Sequence, residues 1–119
     1  MPGTVTITYE THETIRVVNW AWTSDASGDA SGVATLGISG VALRFATNPD
    51  GSDAPTDNYD ITLTDSDGID VAAAALDNRS STVSQQVIPN PGPAFSGTLS
   101  LVVANAGNVK KGELRMFYR

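Results

Sequence analysis

The stretch Thr4-Val5-Thr6-Ile7-Thr8-Tyr9, and the run Thr14 to Thr23 that follows it, decide the fold class. In the first, Val5, Ile7 and Tyr9 occupy every second position and three threonines fill the gaps, the two-residue period of a half-buried strand. In the second, Ile15, Val17 and Ala21 fall on one face and Val18, Trp20 and Trp22 on the other, so both faces are apolar. A strand of that kind either lies covered on both sides or keeps one face for another chain.

Working outward, the period of two persists and the helical period is nearly absent. Residues 24–32 (SDASGDASG) are too poor in apolar side chains to pack and read as a loop. Val33 to Ile38 and Val41 to Thr47 read as two strands joined at Ser39-Gly40, with Val41, Leu43 and Phe45 inward and Arg44 outward. A second loop, Asn48 to Asp57, contains two prolines; Tyr59, Ile61 and Leu63 then form an inward strand face. Asp65-Ser66-Asp67-Gly68 reads as a tight turn returning into Ile69 to Val71, and Ala72 to Leu76 as a short helical turn, alanine having the highest helix propensity. Val83 to Ile88 is a weak strand, and three prolines between Pro89 and Pro93 form a stiff connector without ladder donors. Gly97 to Ala104 and Val109 to Arg119 close the chain as strands, the last dividing Leu114, Met116 and Tyr118 from Arg115, Phe117 and Arg119. About eight short strands with Gly, Pro, Asp and Asn turns predict an all-β, antiparallel sandwich or jelly roll in a single domain spanning residues 1–119.

Composition narrows the function classes. Without cysteine there is no disulfide scaffold, cysteine-ligated zinc site or thiol enzyme, and the redox compartment leaves no mark. The longest apolar run, Val71 to Leu76, is too short to span a bilayer, and Met1-Pro2-Gly3 leads straight into a strand pattern, so the expectation is a protein that remains in the cytoplasm where it is made. The net charge of −6 divides unevenly: residues 1–18 carry −1, residues 19–78 carry −9, and residues 79–119 carry +4. An acidic domain is repelled by nucleic-acid phosphates and anionic lipid, so neither is expected as a partner. A polarised chain suits a subunit that shows one sign outward and the other to a neighbour; the plainer reading is that Asp accumulates in turns, where it bonds its own backbone.

Few residues suggest chemistry. His12, the single histidine, stands between Glu10 and Glu13 with no nucleophile at an informative spacing, and reads as a solvated turn residue. Asp65, Asp67 and Asp70 around Gly68 resemble half of a calcium loop, but the EF-hand needs a third acid before its glycine and a glutamate six residues after it, where Ala74 stands. Turn-forming aspartates are therefore expected, with a non-EF calcium site as the other possibility. Neither a P-loop nor a dinucleotide-binding glycine pattern occurs, and eight aromatic residues are too few for both a core and a glycosidase cleft. No enzyme, metal or cofactor is expected. Trp20 and Trp22 fit a core pair, a sugar-stacking platform or a subunit interface, whereas Phe117 between Arg115 and Arg119 has the composition of an interface. Trp20, Trp22, Arg115, Phe117 and Arg119 are thus the candidate contact residues.

Three stretches, Val18 to Ser31 (VNWAWTSDASGDAS), Ala54 to Val71 (APTDNYDITLTDSDGIDV) and Val102 to Arg119 (VVANAGNVKKGELRMFYR), resemble small structural proteins of tailed bacteriophages. The resemblance implies a β-sandwich of the virion, assembled in the bacterial cytoplasm, typically a capsid decoration or cement protein. It implies the major capsid protein or other virion proteins as partners and a homo-oligomer, with a trimer as the first expectation. A tail or head-to-tail connector component and a glycan-binding sandwich are the alternatives.

Overall fold

A computed structural model describes residues 3–34, 39–72, 75–89 and 94–119. Among the described residues nine strands follow in chain order: β1 (Thr4–His12), β2 (Ile15–Thr23), β3 (Ala30–Ala34), β4 (Ser39–Pro49), β5 (Asp60–Thr64), β6 (Gln85–Val87), β7 (Ala94–Ser96), β8 (Leu99–Ala104) and β9 (Lys111–Tyr118). They form two antiparallel sheets. The larger runs β1-β2-β9-β4-β6, with β7 also paired to β4, and the smaller runs β3-β8-β5. Between them lies one core, to which β2 gives Val18, Trp20 and Trp22, β9 gives Leu114, Met116 and Tyr118, β5 gives Ile61 and Leu63, and β8 gives Leu99, Leu101 and Val103. The period-two reading of these strands thus maps onto the faces that pack, and the chain is an all-β sandwich.

Three local expectations are corrected and two are narrowed. The strands around Ser39-Gly40 are not a hairpin: Ala30 to Ala34 pair with β8, while Ser39 and Gly40 belong to β4 and pair with Ser96 and Phe95, so the chain passes from one sheet to the other; residues 35–38 lie outside the described set. The loop after β2 ends at Asp29 rather than Gly32. Its small residues hide a strand because β3 runs close beneath β1, and a Cβ at Gly32 would stand 2.7 Å from Val5.

In β4 the register shifts between Ala42 and Arg44, a bulge that changes which residues face inward. Ala42 and Phe45 are both buried, Val41 is exposed, and Arg44 faces out beside Phe117. Ile69 to Val71 return antiparallel beside β5 as the turn implies, but only as a single bridge of Thr64 with Asp70, with Asp65 N–H donating to the Ile69 carbonyl and Val71 N–H to the Leu63 carbonyl; the Asp70 carboxylate accepts two further hydrogen bonds, from the Leu63 and Ala72 N–H groups. Of the alanine run, Ala75 N–H donates to the Ala72 carbonyl in one turn, no helix occurs among the described residues, and positions 73 and 74 lie outside them.

Candidate functional site

Because β1, β2, β9 and β4 are adjacent, side chains far apart in sequence meet on the solvent-facing side of the large sheet. Along one cross-strand row stand Glu10, Val17, Phe117 and Arg44; along the next stand Thr8, Asn19, Arg115 and Ala46. The Phe117 ring has the Arg44 guanidinium 4.2 Å from its centroid and that of Arg115 at 5.4 Å. Arg115 also donates to the Glu10 carboxylate at 2.9 Å, which restrains its head group. Under this layer Val17 is only 1% exposed although it points away from the core, the apolar floor that the two-faced sequence of β2 implied. An aromatic ring held between two guanidiniums presents a rigid, cationic and partly apolar surface.

The candidate residues separate accordingly. Arg115 and Phe117 share this face. Arg119 follows them at the exposed chain end, where its backbone exchanges hydrogen bonds with Val41 in both directions, at 2.8 and 3.0 Å. Trp20 and Trp22 are 0% and 1% exposed and belong to the core, so they are corrected from contact residues to packing residues. Burial removes the sugar-platform reading of the pair as well, since a stacking platform needs a free ring face. Arg44, Glu10 and Asn19 complete the face and carry no local sequence signal; only the strand order and the bulge bring them to Phe117.

No family model matches the chain, and no curated protein matches it. Among solved structures, it is similar to a cupin domain from Bordetella pertussis Tohama I, with 13% identity and a TM-score of 0.42 over 99% of this chain and 94% of that one. It is also similar to a carbohydrate-binding module of the β-sandwich superfamily, with 14% identity and a TM-score of 0.37 over 98% of this chain; it spans about half, 52%, of the module's chain.

Charge follows the fold as well as the sequence. Arg16 pairs across β2 and β9 with Tyr118, and its guanidinium lies 4.8 Å from that ring, so Arg16, Arg44, Arg115 and Arg119 gather toward one end of the large sheet. At the opposite end the loops 24–29, 50–58 and 105–110 are tied together by backbone hydrogen bonds, among them Ser24 to Lys110, Val109 to Asp25, Lys111 to Asp53 and Thr56 to Ala106. Those loops hold Asp25, Asp29, Asp50, Asp53 and Asp57. Next to them a surface groove of about 420 Å³ runs over Ala21, Thr23, Asn48, Asp50, Lys111 and Glu113.

The aspartates serve the turns. Asp25 Oδ1 accepts from the N–H groups of Ser27 and Asp29, and Asp65 Oδ1 accepts from those of Asp67 and Ile69, one motif built twice around Gly28 and Gly68. Asp50 Oδ2 does the same for Ser52 and Asp53. Among the described residues no group of three or more His, Asp or Glu side chains converges as a metal ion would require. His12, exposed at the end of β1, stands 3.7 Å from Glu10.

Hydrogen bonds from backbone N–H groups, that of Asp29 the strongest for Asp25 and that of Asp53 for Asp50, hold both carboxyls below the usual aspartate value of 3.8. A depressed carboxyl contributes stability above its unfolded value and loses it as pH falls through its folded value. The melting temperature should therefore fall on acidification below about pH 4. Asp25→Asn, which keeps an acceptor oxygen without the titration, should soften that fall; calorimetry across the acid range reads the difference, and identical acid profiles would remove Asp25 from the account.

Proposed function

We propose that the protein is a non-enzymatic assembly module that docks on a neighbouring protein through the outer face of its large sheet, and that it acts as a decoration or cement protein of a phage head. The observation that carries this is the clamped Phe117, held by Arg44 and Arg115 over a floor of Val17 on an otherwise polar face. Aromatic and arginine side chains prefixed in one arrangement lose little entropy on binding and are the residue types that dominate interface energies. The guanidiniums favour a partner surface that is acidic around an apolar centre, as the uneven charge of the chain does. Resemblance to phage structural proteins supplies the setting: assembly in the bacterial cytoplasm, the major capsid protein or another virion protein as partner, and a shell strengthened by many repeated contacts.

The test is the variant Arg115→Ala/Phe117→Ala/Arg119→Ala added to purified heads that lack the protein, with circular dichroism as the check on folding. Truncating an interface hot spot costs about 2 kcal/mol or more, and this variant removes three candidates for one, so its affinity should fall at least about 30-fold and the added heat resistance of the particles should vanish. Full occupancy with unchanged heat resistance would rule this face out as the anchor.

A further inference from the structure

The two edges of the large sheet are built differently. One ends in β6 and β7, three residues each, with Pro89 close behind β6; such edges do not accept another strand readily. The other is β1, nine residues in an unbroken register with β2, with no proline, no bulge and no charge from Thr4 to Tyr9. Proline, bulge, charge and short length, the protections an edge strand carries in itself, are all missing from those six described residues.

Its outward hydrogen-bonding groups can be named. The two-residue turn Glu13-Thr14 closes on His12 and Ile15, which must be a hydrogen-bonded pair, because the alternative pairing would need a bond between adjacent residues. Alternation then directs the backbone groups of Glu10, Thr8, Thr6 and Thr4 to β2 and leaves those of Val5, Ile7, Tyr9 and Thr11 pointing away from the sheet. On the same strand Tyr9 is 39% exposed, and Val5 and Ile7 are only partly buried against the core.

We propose that β1 is the self-association site of this protein, pairing antiparallel with β1 of a second copy about a two-fold axis through Thr8. This register is the one in which all nine residues overlap and all four outward-facing residues meet each other, Val5 opposite Thr11 and Ile7 opposite Tyr9. Apolar residues then continue the inner layer from one copy to the next. On the outer face Thr8 meets Thr8, Thr6 meets Glu10 and Thr4 meets His12, so no like charges are opposed. A strand that complements itself in hydrogen bonding, hydropathy and charge specifies a second copy rather than an unrelated chain. The large sheets become continuous, and the two Phe117 faces lie on the same side of the joined sheet. The dimer replaces the trimer expected from the resemblance.

Thr8 is exposed, so its side chain can be changed without disturbing the core. Light scattering over micromolar to millimolar protein should give a species of twice the 12.4 kDa chain mass, and Thr8→Lys, which sets two ammonium groups face to face at the axis, should raise the dimer dissociation constant at least tenfold. Mixing Thr8→Lys with Thr8→Glu should restore the dimer. A wild-type protein that stays monomeric throughout, one that forms trimers, or a dimer indifferent to Thr8→Lys would each overturn the proposal.

Discussion

Trp22→Ala is expected to remove about 3–5 kcal/mol of stability, the range for truncating a buried aromatic ring. Trp22 is 1% exposed and packs its indole 5.5 Å from the Tyr59 ring at an interplanar angle of 54°, bridging the large sheet to the segment that enters β5. Both layers of the sandwich line the space the ring would vacate, and their backbones are held by ladders on either side, so the site cannot collapse far. At roughly 4 °C or more per kcal/mol for a chain of this size, the melting temperature should drop by about 15 °C. Trp22→Phe should cost much less, because the indole Nε1 has no hydrogen-bond partner among the described residues and its loss orphans nothing. Thermal unfolding of the two variants checks the argument; equal losses would mean that the position responds to shape alone and not to filled volume.

Gly112→Ala is the second large effect, and its sign runs against the ordinary gain from replacing glycine in a strand. A Cβ at Gly112 would stand 2.6 Å and 3.0 Å from two ring atoms of Trp22 and 3.2 Å from the Asn48 carbonyl oxygen. The indole is fully buried and packed against the Tyr59 ring, which leaves it little room to shift, and the carbonyl belongs to the adjoining strand. Overpacking of this kind costs about 1–3 kcal/mol. The same change at Gly51, with nothing within 4 Å of the added carbon, should be neutral or slightly stabilising, which separates the clash from a general effect of alanine. Combining Gly112→Ala with Trp22→Phe should recover part of the loss, since the smaller ring clears the methyl group. Additive losses in that double variant would show that the strain does not reside between these two side chains.

Both effects begin in residues whose types were plain in the sequence and whose neighbours were not. Alternation placed Ile61, Leu63, Leu101, Val103, Leu114 and Met116 inward, because a strand directs successive side chains to opposite faces whatever its neighbours are. It failed at Val41, where the bulge in β4 reverses the parity, and at Ala30 to Gly32, where close approach to β1 requires residues as small as those of a loop. The candidate face was legible in part. Arg115 and Phe117 could be chosen from composition on one strand, but Trp20 and Trp22 could not be divided between core and surface, since both faces of β2 are apolar and only the second sheet decides which is covered. Arg44, Glu10 and Asn19 had no local mark at all.

The sequence by itself determined most of the strands, their inward faces outside β4, and the turns in which aspartates bond their own backbone, all of which depend on contacts a few residues long. Tertiary structure decided the rest: which strands are neighbours, which side of β2 meets water, and which edge remains open. Pairing between strands distant in the chain is set by the joint burial of many side chains, a free-energy balance that no single segment contains.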